Sequence, residues 1–144
     1  MKINIPLLAL ALGAFGIGVT EFSPMGMLPV IANDLAVSIP TAGMLISAYA
    51  FGVLVGAPLM TLVFANMARR NLLLLSMAIF TLGNLVSAMA DSYNVLLLGR
   101  IITSFNHGAF FGVGAIVAMS VVPPEKRAGA VAAMFSGLTI ATIG

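Results

Sequence analysis

Apolar residues run along this chain in long blocks, interrupted by charge at only a few points. Between Lys2 and Glu21 lie 18 uncharged residues, between Asp34 and Arg69 34, between Arg70 and Asp91 20, and between Arg100 and Glu125 24. The 17 residues after Arg127 are uncharged as well. A helix needs about 20 mainly apolar residues to cross the hydrocarbon core, so four blocks qualify and a fifth begins. The blocks are continuously apolar rather than alternating, which argues against the strands of a membrane barrel. The pattern predicts helices near residues 5–31, 41–64, 72–90 and 95–121, with a fifth from about 128 onward.

Local chemistry sharpens these limits. Asn33-Asp34 ends the first helix, Ser38 with Pro40 opens the second, Asp91 or Ser92 can cap the fourth, and Pro123-Pro124 stops it. Lys2 ahead of an apolar run resembles a signal peptide. No small-x-small cleavage site follows, and further spans do, so the first block is expected to stay in the mature protein. The connections are short, and the expected architecture is all-α: one polytopic transmembrane bundle over residues 1–144 with no soluble domain. The apolar ending at Gly144 has no flanking charge, which raises the expectation that these residues are the front part of a longer protein.

Composition excludes most other classes. Hydrophobic residues make up 61% of the 144 and charged ones 7%, against roughly 25% charged in soluble domains. The net charge of +2 is spread over ten charged residues and forms no basic patch, so nucleic acid is set aside. With no cysteine there is no disulfide or thiolate site. The sequence holds no metal cluster, phosphate loop or nucleophile–base pair, so neither an enzyme nor a bound metal or cofactor is expected.

Charge also predicts orientation. With a cytoplasmic N-terminus, Lys2, Arg69, Arg70, Lys126 and Arg127 all fall inside, while Asp34 and Asp91 fall outside. Arg69 and Arg70 are expected in the cytoplasmic loop between the second and third helices, and their first role is to set topology.

Polar groups within the spans carry the functional signal. A carboxylate at the centre of a span costs about 2.5–3.5 kcal/mol on insertion scales, so Glu21 should face a cavity or a partner. Pro24 cannot donate to the carbonyl of Thr20, and with Pro29 it should kink or loosen the helix beside the acid. Such broken helices line the ion and substrate sites of transporters. Glu21 can therefore load and release a proton, or it can be a structural residue in a fixed ion pair. On the fourth helix Arg100, Thr103, Ser104 and His107 share one face. At 1.5 Å per residue, Arg100 lies roughly 8 Å, Glu21 roughly 15 Å and His107 roughly 18 Å below the outer surface. The Arg100 side chain is long enough to reach Glu21 if the two helices touch. His107 can relay a proton, or it can be a neutral imidazole bonded to a neighbouring helix. For Arg100 a structural ion pair and a gating role stand side by side. Small residues at Ala48, Gly52 and Gly56, and at Gly108 and Gly112, allow close helix contact. Asn84 and Ser87 are expected to bond between helices, and the ten methionines to serve packing and lipid contact.

Several stretches resemble the major facilitator superfamily in its twelve-span drug/proton antiporter branch. Thr20-Glu21-Phe22 through Gly26-Met27-Leu28-Pro29 resembles the first helix of that branch. Gly43-Met44-Leu45-Ile46-Ser47-Ala48-Tyr49-Ala50 and Gly56-Ala57-Pro58-Leu59 resemble its second, and Arg100 through Gly108 its fourth-helix motif. The departures are informative. Where the family usually has Asp-Arg-x-Gly-Arg-Arg, this chain has Ala65-Asn66-Met67-Ala68-Arg69-Arg70, so the Asp, the first Arg and the Gly of the usual cytoplasmic charge latch are replaced. Ser104 and Asn106 stand where glycines are usual, His107 is an addition, and the fifth-helix signature would begin near Gly137. The resemblance implies two six-helix halves built of inverted three-helix repeats, of which this chain supplies the first third.

The resemblance further implies a secondary transporter in a bacterial inner membrane that exports a small molecule in exchange for protons. Glu21 would be the proton site, tuned by Arg100 and His107, with Thr20, Pro24, Tyr49, Thr103, Ser104 and Asn106 lining the cavity or hinging the helices. The implied partners are substrate, protons, lipid and the later helices of the same chain. The rival reading is a self-contained small membrane protein, either a four-helix multidrug transporter working as a dimer or a non-transporting scaffold.

Overall fold

A computed structural model describes residues 4–143. Four long helices are each apolar enough to span a membrane: α1 (Ile5–Asp34), α2 (Ile39–Val63), α3 (Arg69–Ala88) and α4 (Tyr93–Ser120). A single turn of 3-10 helix (Pro124–Lys126) leads into α5 (Arg127–Ala141). No strand occurs among the described residues. Lys2, part of the predicted orientation signal, lies outside them.

The helices begin where the chain supplies acceptors for their free N–H groups. Asn4 accepts from Leu7 N at 3.2 Å and Ser38 from Thr41 N at 3.2 Å, each followed by a proline within the first two helical positions. Ser92 precedes α4 but makes no capping bond through its side chain. Helix α1 runs three residues past its expected end. Ala36 then takes a left-handed backbone (φ 51°), and Val37 N donates back to Ala32 O at 2.9 Å, closing the helix. Nothing in an apolar block marks an alanine for that conformation.

One expectation is corrected. Arg69 and Arg70 are not loop residues: α3 starts at Arg69, so both stand in its first turn. Arginine is a good helix former, and no polar cap intervenes to delay the start. Pro24 and Pro29 both lie inside α1, which continues through them to Asp34.

Packing is centred on α4. It lies against α2 on one side and α3 on the other, while α1 packs chiefly on α5. One apolar cluster joins α1, α4 and α5 through Leu10, Ile17, Phe110 and Met134, and a second joins α2, α3 and α4 through Met60, Leu72 and Ala109. Large apolar side chains such as Leu54, Leu62 and Leu82 stay exposed on the outer faces, as lipid contact requires. Backbones approach where glycines allow it. A methyl group at Gly56 would come within 2.7 Å of Phe105 Cα, and one at Gly83 within 2.8 Å of Thr103 N. Gly112 has open space beside it, so the small-residue pattern on α4 is only partly used for packing.

Candidate functional site

Pro24 has no N–H, so the carbonyl of Thr20, four residues earlier, loses its donor within α1. In water that oxygen would simply be hydrated; within a span it needs a partner from the protein. Arg100 of α4 supplies one, its Nη1 donating to Thr20 O. The Thr20 hydroxyl donates at 3.1 Å to Asn84 Oδ1 of α3, whose Nδ2 donates in turn to Phe80 O at 2.9 Å. Thr20 is thereby held from two sides at the residue before Glu21.

Arg100 is 4% exposed, and its Cζ lies 4.4 Å from the ring centroid of Tyr49 on α2. An aromatic face suits a guanidinium withdrawn from water. Its Nε and Nη2 are buried without a hydrogen-bond partner. Arg100 does not pair with Glu21, one of the two alternatives its length left open. Arginine goes to the proline-freed carbonyl, and the basic side chain beside Glu21 is His107 instead, Nδ1 to Oε2 at 3.9 Å. The Tyr49 hydroxyl lies 3.2 Å from the same Nδ1. Beyond His107 the aromatic contact continues through Phe111 (4.9 Å between centroids) to Phe135 of α5, stacked on Phe111 at 5.0 Å.

Glu21, Tyr49, Arg100 and His107, drawn from three helices, therefore meet in one cluster. The other predicted site residues are placed differently. Thr103 and Ser104 are fully buried and bond to carbonyls of their own helix, Arg100 O at 2.9 Å and Ile101 O at 2.6 Å. Both face the packed seams with α3 and α2, against Gly83 and Gly52. Asn106 turns to α3, donating to Ser76 O at 3.1 Å, while its Oδ1 and the Ser76 hydroxyl have no partner. Ser87 bonds to Gly83 O within its own helix rather than between helices. Arg69 lies 15 residues before Asn84 on α3, roughly 22 Å away by helix rise. It lines a hollow of about 250 Å³ with Ser120 and Arg127.

Sequence reasoning missed the Thr20 carbonyl as a ligand for Arg100, although Pro24 was its signal. It also missed Phe111 and Phe135, which look like ordinary core residues in an apolar block. Among the described residues no group of three His, Asp or Glu side chains could hold a metal ion.

The chain is 69% identical over all 144 residues to the inner membrane transport protein YdhP of Escherichia coli (strain K12), of which it covers 37%. It is 50% identical over 143 residues to the MFS-type transporter YtbD of Bacillus subtilis (strain 168), covering 36% of it. A chloramphenicol resistance protein of Streptomyces lividans is 37% identical over 139 residues, again with 36% covered. The chain thus spans little more than a third of the length of these curated relatives. With residues 10–143 matching the family's own sequence profile and four membrane-length helices around a buried polar cluster, the chain belongs to the Major Facilitator Superfamily.

Proposed function

We propose that this chain carries the proton-coupling part of a secondary transporter that exports a small molecule in exchange for protons by alternating access. The observation behind this reading is the carboxyl of Glu21 held within a span, 3.9 Å from His107, beside a buried arginine. A carboxyl and an imidazole at that separation can share one proton after a small closure, whereas a purely structural pair gains nothing from staying beyond hydrogen-bond reach. Arg100 would act through Tyr49 and the Thr20 backbone, fixing the helix turn that carries Glu21. The ion gradient would supply the energy, so the reading calls for neither enzyme chemistry nor a bound cofactor.

Export is supported by the names of two relatives, the chloramphenicol resistance protein and a probable sugar efflux transporter of Helicobacter pylori. In this reading the protein sits in a bacterial inner membrane with its N-terminus in the cytoplasm. Arg69, Arg70, Lys126 and Arg127 cluster at one end of the bundle and Asp34 and Asp91 at the other, in keeping with that orientation. Helices beyond the share matched in the relatives would complete the substrate cavity.

Everted membrane vesicles test the reading, with labelled chloramphenicol and a labelled sugar as probes suggested by the relatives. Glu21→Gln should lower transport driven by a pH gradient at least tenfold at an unchanged level of inserted protein. Undiminished transport would remove Glu21 from the coupling role.

A further inference from the structure

His107 Nδ1 stands between two oxygens. Tyr49 Oη is 3.2 Å away, close enough for a hydrogen bond, and Glu21 Oε2 is 3.9 Å away, beyond one. A ring nitrogen makes one such bond at a time, so tyrosine and glutamate compete for the same position. Tyr49 is 2% exposed, and its hydroxyl is bonded to His107. A buried O–H needs an acceptor, which gives the bond its direction. With Tyr49 as the donor, Nδ1 would carry no proton and a neutral ring would keep its proton on Nε2.

The tyrosine ring has a second task. Its face carries the Arg100 guanidinium, while its hydroxyl reaches His107. One side chain on α2 thus sets both basic groups that flank Glu21. The seam between α2 and α4 is tight, with Gly56 against the Phe105 backbone and Gly108 against Ala57. Tyr49 and His107 therefore form a fixed pair, and α1 brings the acid to it.

We propose that Tyr49 is a positioning residue for proton transfer: its hydroxyl holds His107 as the Nε2–H tautomer, leaving Nδ1 free of a proton and ready to receive the one on Glu21. When α1 closes on α4, the Glu21 O–H bond breaks and an Nδ1–H bond forms, giving a carboxylate and an imidazolium. Tyr49 keeps its own proton and gives up its acceptor. The titratable and charged groups facing His107 are Glu21 from α1, Tyr49 from α2 and Arg100 from α4 itself; α5 contributes Phe135 by way of Phe111, and the charged residues of α3 lie at its far end. The inference rests on the coupling reading of Glu21.

Nitrogen-15 labelling of histidine lets NMR of the full-length protein in lipid bilayers read this ring, identified as the signal that His107→Gln removes. At a pH where the ring is neutral, the native protein should show the Nε2–H tautomer. Tyr49→Phe keeps the ring under Arg100 and removes only the hydroxyl. It should lower the preference for that tautomer roughly fivefold, the equilibrium value of about one hydrogen bond. In vesicles, Tyr49→Phe should slow pH-driven transport, yet add nothing when His107→Gln is already present. An unchanged tautomer in Tyr49→Phe, an Nδ1–H ring in the native protein, or additive losses in the double variant would each overturn the assignment of Tyr49. Transport that survives Glu21→Gln would instead overturn the coupling reading beneath it.

Discussion

Where α4 meets α2 and α3 its backbone is packed against glycine; where it meets α1 it packs Phe110 on Gly13 but also presents charge. Along the first seams, Gly52, Gly56 and Gly83 admit neighbouring atoms at distances that no side chain would allow, and Thr103 and Ser104 spend their hydroxyls on their own helix. Along the second, Arg100 keeps two unpaired donor nitrogens and Glu21 stays beyond hydrogen-bond reach of His107. Lipid offers no hydrophobic drive between helices, so close packing and satisfied polar groups are what hold a seam shut. The α3–α4 seam also leaves Asn106 Oδ1 and the Ser76 hydroxyl without partners, but there the backbones are in glycine contact, whereas beside α1 it is charged and titratable groups that are left unpaired.

Substitutions can break this contrast. The largest effect on stability is expected from Gly83→Leu, which forces α3 off the backbone of Thr103 and Gly99. Overpacking of this kind costs about 1–3 kcal/mol or more, and melting of the purified protein in detergent should fall accordingly. Pro24→Ala attacks the other seam. It returns an N–H to the Thr20 carbonyl and so competes with Arg100. Pro24→Ala should leave melting unchanged or raise it while lowering pH-driven transport severalfold; unchanged transport would mean that Arg100 does not act through that carbonyl. Thr20→Val removes the hydroxyl bond to Asn84 and should cost about 0.6 kcal/mol, the usual size of such a bond between membrane helices. Ser87→Ala removes a bond that stays within one helix and should change melting by less than about 0.5 kcal/mol. If the last two variants behaved alike, the bond from α1 to α3 would add nothing to the seam.

The spans and their number were legible in the sequence, because apolar block length and helix rise are both set by the bilayer and the backbone. Helix rise also put Glu21 and His107 at similar levels, and the two come within 3.9 Å. The start of α3 differs from the expected one because a charge marks the edge of an apolar block without ending the helix: Arg69 and Arg70 have good helix propensity and form its first turn. The face that each polar residue of α4 presents was not legible. Thr103, Ser104 and Asn106 share the interval between Arg100 and His107, yet they turn to α3, α2 and α3 respectively.

The sequence by itself determined that the chain crosses a membrane, roughly where each crossing lies, and that Pro24 leaves a carbonyl unsatisfied beside an acid. These follow from local rules, hydropathy and covalent geometry, that act without reference to neighbours. Only the tertiary structure decided that Arg100 takes that carbonyl rather than the acid, and that Tyr49 from a third helix stands between the two bases. Those choices depend on how helices rotate about their axes when glycines let them approach, and rotation about an axis leaves no mark in a block that is apolar on every side.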